Sequence, residues 1–186
     1  SIKVIDTYLD FISDEDLFIY SIDEAFLDVT SYLSYYKMTA YELAQTILKT
    51  LFDRLGLYAT CGIGPNMLIS KLALDLESKT KKDYIAQWDY DDIKTKLWPI
   101  KPLSKMWGIG SRMEKNLNRL GIYTIYDLAH YEPKRLQKLF GIMGLELYHH
   151  AHGRDYSLIQ KQDELKIINQ SYSIGQVLFK DYTYEK

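Results

Sequence analysis

Along the first hundred residues the spacing of apolar positions changes period several times. "VIDTYLDFI" puts apolar side chains at 5, 8, 9 and 12, a helical stripe, and the acidic "SDED" at 13–16 ends it. "LFIYSI" and "AFLDV" follow as two runs rich in Ile, Phe, Tyr and Val, which predict strands. If the two pair as a hairpin, Asp23 and Glu24 sit at or beside its turn. "TAYELAQTILKTLFDRLG" returns to the helical period: Thr39 and Glu42 make a capping box, Leu43, Ile47, Leu51 and Leu55 the inner stripe, and Gly56 the stop. "LYATCGIG" (57–64) is apolar on both faces, as a central strand is, and turns through Gly62, Gly64 and Pro65 into "NMLISKLALDLESK". On that helix Leu68, Ile69, Leu72, Ala73 and Leu76 share one arc, with Lys71 just outside it. "DYIAQW" (83–88) predicts a short strand and "DYDDIKTKLW" a helix, so residues 1–100 alternate helices and strands, an α+β layer of helices on one sheet.

The pattern shifts after "PIKP" (99–102). The next fifty residues predict helices only: "SRMEKNLNRLG", "TIYDLAHY", "PKRLQKLFG" and "LELYHHAHG", separated by turns containing Gly or Pro. Periodicity fades from Tyr156 to Gln170, which reads as a linker, and "YSIGQVLFKDY" (172–182) reads as a strand opening a further unit. The chain opens on Ser1 rather than Met, as a piece of something longer would.

Composition narrows the classes. At 47% hydrophobic and 26% charged over 186 residues, the chain is an ordinary globular one. It has no apolar run near the ~20 residues that span a bilayer and no basic-then-apolar leader, so no membrane partner is expected. The single cysteine, Cys61, excludes an internal disulfide framework and suits a reducing cytoplasm. Net charge is only −2 but unevenly placed. Residues 1–30 carry eight acids and one base, whereas 101–154 carry nine Lys or Arg against four acids. Such asymmetry suits cations at one end and polyanions at the other, although ordinary solvated surfaces show milder versions of it.

Three stretches carry candidate chemistry. In "SIDE", Asp23 and Glu24 can be the solvated tip of a hairpin, or carboxylates converging at a sheet edge as hard oxygen ligands for Mg²⁺. Asp28, further along, reads as a surface acid or a hydrogen-bonder. In "GIGPNMLISK" the glycine turn could offer amides and a helix N-terminus to phosphate, with Lys71 neutralising a polyphosphate tail. The bland alternative is a strand-to-helix turn with an exposed lysine; the stretch is no Walker A loop. In "MWGIGSRMEKNLNRLGI" (106–122), a helix, a Gly108-Ile109-Gly110 turn and a basic helix make a helix-hairpin-helix. Its glycines would let backbone amides approach a DNA phosphate, Ile109 would be buried, and Arg112, Lys115 and Arg119 would add sequence-independent attraction. "FGIMG" (140–144) is similar to a weaker second copy, and an ordinary helical hairpin is the plain alternative.

Together, "YSIDEAFLDVT", "CGIGPNMLISKLALDLESK" and "LWPIKPLSKMWGIGSRMEKNLNRLGIYTIYDLA", in this order over roughly residues 15–156, resemble the Y-family, or translesion, DNA polymerases, most closely the UmuC-like members of Gram-positive bacteria. The resemblance implies a partial palm over 1–100, a helix-hairpin-helix thumb over 101–156, a linker over 157–171 and the truncated start of a little-finger domain over 172–186. It implies that Asp23 and Glu24 bind catalytic Mg²⁺, that Lys71 meets the triphosphate of the incoming nucleotide, and that Gly108, Ile109 and Gly110, with Arg112 and Lys115, grip duplex DNA. The partners so implied are primer–template DNA, a dNTP, and a sliding clamp reached through other regions. The whole enzyme would join a dNTP to a primer 3′-hydroxyl by two-metal phosphoryl transfer.

The departures shape the expectation. The family's third metal carboxylate lies well upstream of the acidic pair, and nothing matches it; Asp6 and Asp10 fall on a helical pattern. The finger domain is absent, and Met67 stands where many relatives have a second lysine. The chain by itself is therefore expected to be inactive. The rival class is a non-catalytic helix-hairpin-helix DNA-binding module. A third, another palm-type enzyme such as a nucleotide cyclase, leaves the 106–122 hairpin unexplained.

Overall fold

The computed structural model describes residues 2–157 and 159. The strand expected at 172–182, and all of the expected linker but 157 and 159, lie outside them. Helix α1 (Ile2–Leu9) is followed by a single 3-10 turn, Asp14–Asp16, which Ser13 caps. Strands β1 (Leu17–Ile19) and β2 (Ala25–Leu27) pair antiparallel, Phe18 opposite Phe26, the hairpin that the two strand-forming runs suggest. Helix α2 (Tyr32–Tyr36) leads to α3 (Ala40–Leu55), whose Thr39–Glu42 capping box and left-handed Gly56 stop are both formed. Strand β3 (Cys61–Ile63), helix α4 (Met67–Leu76) and strand β4 (Ile85–Gln87) form a parallel βαβ unit.

The four described strands make two separate two-stranded sheets, not the one sheet expected. Each strand is three residues long, and what joins the hairpin to the βαβ unit is a set of side chains rather than ladder hydrogen bonds. The helix expected over "DYDDIKTKLW" is a 3-10 turn (Tyr90–Asp92) running into a wide π-type turn (Ile93–Leu97), which buries Ile93 and Leu97. Four helices follow as predicted: α5 (Ser111–Asn118), α6 (Ile125–Ala129), α7 (Pro133–Phe140) and α8 (Ile142–Ala151).

Two apolar clusters hold these elements. Leu43, Ile47 and Leu51 of α3 pack with Val4 and Tyr8 of α1, Leu27 of β2 and Leu33 of α2. The larger cluster runs from Leu68 to Ala151, so α4 and β4 share one core with α5–α8 across the Pro99–Pro102 stretch. Each fully buried leucine there, such as Leu72, Leu103 or Leu117, is worth roughly 2 kcal/mol in area removed from water.

Just past α4, Glu77 accepts from Lys81 at 2.7 Å, from Lys96 at 3.3 Å and from the indole N–H of Trp88. The bond from Lys81 foremost, with those from Trp88 and Lys96, outweighs burial and holds its carboxyl at about 2, below the ordinary 4.5. A depressed carboxyl stabilises the fold above its unfolded value and loses that contribution as pH falls toward the folded one. Wild type should therefore exceed Glu77→Gln by roughly 1–2 kcal/mol near pH 6, with the gap closing between pH ~5 and ~2 in denaturant unfolding.

Candidate active site at the acidic hairpin

Between β1 and β2 the chain turns through residues 20–24, closed by the amides of Tyr20 and Ser21, both donating to the Glu24 carbonyl at 3.0 and 3.1 Å. Ile22 at the tip is 89% exposed. The Ser21 hydroxyl donates to Asp23 Oδ1 at 2.8 Å, orienting a carboxylate that otherwise faces solvent. Glu24 beside it meets Lys71. Its Oε1 accepts from Lys71 Nζ at 2.6 Å, and Lys71 donates a second bond to Asp75 Oδ1 at 3.0 Å.

Lys71 is not the exposed residue its place outside the apolar arc suggests. Its side chain is 9% exposed, because Lys71 and Asp75 border the arc and the acidic hairpin folds over that border. Burial pulls the ammonium's pKa down, but the bonds it donates to Glu24 and Asp75 outweigh that and leave it raised, so the lysine stays charged. The structure thus brings Glu24 and Lys71 into contact, with Asp23 one residue away. Both carboxylates are hard oxygen donors of the kind a divalent cation takes. Among the described residues no group of three or more His, Cys, Asp or Glu could hold a metal, so the donors fit in kind and fall short in number. Asp10 is engaged by Arg54, and Asp28 accepts from the Thr30 amide at 3.0 Å, a structural role as expected.

The glycine turn before α4 is not a phosphate cradle. A Cβ on Gly62 would sit 2.0 Å from the Ser70 carbonyl oxygen, and one on Gly64 2.6 Å from the Ser70 amide, so both glycines exist to let β3 lie against α4. The first amides of α4 are taken as well: Asn66 Oδ1 accepts from Ile69 at 2.9 Å and Asp155 Oδ2 from Leu68 at 3.1 Å. Burial pushes the Asp155 carboxyl up, yet His150 and Ser157 outweigh that and bring it down to about 2. A carboxylate of the chain itself fills the place a phosphate would occupy.

At the second turn, residues 103–105 form one 3-10 turn rather than the expected helix, since Pro102 interrupts the segment and its bonds run i to i+3, as in Lys105 to Pro102 at 3.1 Å. Ile109 is buried, as expected. Gly108 has φ +89°, which requires glycine; Gly110 has an ordinary φ of −80°, and a Cβ there would meet nothing within 4 Å. Nothing internal requires glycine at 110. The N-terminus of α5 lacks a side-chain cap, and Arg112, Lys115 and Arg119 are exposed along it. "FGIMG" likewise divides α7 from α8 at Gly141, φ +64°.

Sequence reasoning missed Asp75, Asp155, Tyr20 and Trp107. Only Asp75 left a signal, the i,i+4 spacing from Lys71. Trp107 Nε1 donates to the Tyr20 hydroxyl at 3.0 Å across 87 residues of chain, and the Leu68–Asp155 bond spans as many.

With this geometry in place, comparison with known proteins gives the class. The impB/mucB/samB family matches residues 1–75, and the IMS family HHH motif matches 90–122. The chain is similar to the Y-family of DNA polymerases. It is 48% identical over 98% of its length to UvrX of Bacillus subtilis, a protein named for repair of UV damage. It is 52% identical over 76% of its length to the DNA repair protein homolog YobH, and 39% identical over 88% to DNA polymerase IV 2, both from the same organism. It spans 42%, 64% and 39% of those three relatives. An insertion ternary complex of Dbh DNA polymerase shares the fold at TM-score 0.71 and 24% identity, over 85% of this chain and 44% of that one. A Y-family chimera of Dbh and Dpo4 does so at 0.70 and 23%, over 86% and 45%. The fold class read from the sequence, α+β followed by a helical hairpin unit, is that of these neighbours.

The two Gly-Ile-Gly turns should separate cleanly in thermal unfolding. Gly62→Ala should cost on the order of 3 kcal/mol by overpacking, whereas Gly110→Ala should stay within about 0.5 kcal/mol of wild type.

Proposed function

We propose that this chain contributes the acidic hairpin and duplex-gripping turn of a translesion DNA polymerase, residues 1–100 serving as partial palm and 101–156 as thumb. The observation that carries the reading is the Glu24–Lys71 contact: a metal-type carboxylate and a buried, charged lysine share one corner of the fold, next to Asp23. Relatives of this family imply dependence on a divalent metal in general. Asp23 and Glu24 would hold Mg²⁺ here, which when bound supplies charge stabilisation at the reacting phosphate. Lys71 would meet the triphosphate of the dNTP, and Asp75 would keep its ammonium in place. The amides around Gly110 and the row Arg112, Lys115 would hold the backbone of primer–template DNA. The reaction is attack of the primer 3′-hydroxyl on the dNTP α-phosphate, with pyrophosphate leaving. No helix among the described residues is long and apolar enough to cross a membrane. We place the protein in the cytoplasm with its DNA, any sliding clamp being engaged through regions other than the described ones.

The test is primer extension by a protein carrying this chain together with the rest of its relatives' length. Asp23→Asn should lower extension by on the order of 10²–10³ while duplex affinity holds within about twofold. Equal extension by the variant would leave the helix-hairpin-helix as a non-catalytic DNA-binding module. The 186-residue chain alone should extend no primer, since the described residues offer two of the carboxylates needed. Its duplex affinity should fall with a log–log salt slope on the order of −2 to −4, set by three or four neutralised phosphates; a flat response would count against the thumb turn.

A further inference from the structure

The acidic hairpin and the duplex-gripping turn are joined by an aromatic contact that core packing does not require. Trp107 immediately precedes Gly108. One side of it packs on the larger apolar cluster, and the other meets the hairpin. Its Nε1 donates to the Tyr20 hydroxyl at 3.0 Å; the two rings meet edge to face at 5.7 Å and 79°, and Phe26 of β2 lies 5.9 Å away. Tyr20 is 42% exposed and belongs to neither apolar cluster, so it is not held there by burial. It is nevertheless tied on three sides. Its amide closes the acidic turn on the Glu24 carbonyl at 3.0 Å, its ring lies 6.0 Å beneath Lys71 Nζ, and its hydroxyl receives Trp107.

We infer that Tyr20 and Trp107 are positioning residues, a strut that transmits duplex binding at the Gly108–Gly110 turn to the acidic hairpin and Lys71. The inference rests on the polymerase reading and adds a coupling to it. The Ile109 amide is taken by the Met106 carbonyl at 3.1 Å, so a duplex phosphate seated on the amides of Gly110 and Ser111 restrains the backbone that carries Trp107. Through the indole N–H this fixes the Tyr20 ring, and with it the turn that presents Asp23 and Glu24 and the face against which Lys71 rests. Coupling of this kind is reciprocal, so a nucleotide at Lys71 tightens duplex binding by the factor by which the duplex tightens nucleotide binding.

The experiment is hydrogen–deuterium exchange of the Tyr20 and Ser21 amides, with and without a primer–template duplex, in the protein carrying this chain and the rest of its relatives' length. Duplex should slow wild-type exchange there by roughly fivefold or more. Trp107→Phe removes the donor and Tyr20→Phe the acceptor while keeping aromatic rings, so both variants should fold. Each should lose most of the slowing while keeping wild-type duplex affinity, and the double variant should lose no more than either alone. Variants that keep the full slowing would reduce the strut to packing and overturn the inference alone. A wild type that binds no duplex overturns the reading beneath it, and the strut with it, and shows itself before any variant is made.

Discussion

The buried ammonium of Lys71 is the constraint around which the site is assembled. Taking a lysine out of water costs several kcal/mol unless its charge is met, and two partly exposed carboxylates meet it, Glu24 from the hairpin and Asp75 from its own helix. Asp75 comes with the helix and positions nothing else. Glu24 arrives from 47 residues away, so the pair fixes where β1–β2 sits against α4. The two sheets share no ladder hydrogen bond, so this contact holds the hairpin together with the meeting of Tyr20 and Phe26 with Trp107 and the packing of Leu27 on α3. Removing the Glu24 charge would leave the lysine with a single partner; an ion pair broken on one side destabilises more than the intact pair stabilises.

Helix α4 is therefore tied along its whole length. Asn66 and Asp155 satisfy its first amides, with Asp155 reaching in from beyond α8, and Asn66 also donates to the Gly153 carbonyl at 2.8 Å. Gly62 and Gly64 let β3 press on its second turn. Leu68, Ile69, Leu72 and Ala73 face the core that α4 shares with α5–α8. A helix so over-determined can carry a charge at a set position.

The features legible in the sequence were local. The Thr39–Glu42 box, the Gly56 stop and the strand-forming runs on either side of "SIDE" each put their physics within a few residues, and each is formed. The features that were not legible depended on partners 47 or 87 residues away. Lys71 lies outside the apolar arc of its own helix, and only the hairpin folding over it makes it interior. Tyr20 and Trp107 are ordinary aromatics until the fold places one hydroxyl beside one indole. The single sheet expected from alternating strands and helices failed for a related reason: strands of three residues can be held by side chains and need not join one ladder.

The tripeptide Gly-Ile-Gly occurs twice, at 62–64 and 108–110, and the two copies show why a motif has meaning only with its surroundings. In the first, both glycines face backbone of α4 closer than any side chain permits, so the turn looks inward and is closed to ligands. In the second, Gly108 needs its positive φ, Gly110 faces open space, and only the isoleucine between them is buried. From the sequence both copies could meet phosphate, the first as a strand-to-helix turn followed by a lysine, the second as a turn into a basic helix. The structure separates them. The turn beside the lysine serves packing and delivers the lysine, while the turn that leaves its backbone accessible lies in the basic half of the chain, where a polyanion would be met. Charge asymmetry and glycine placement point to the same surface only once the internal need for each glycine has been accounted for.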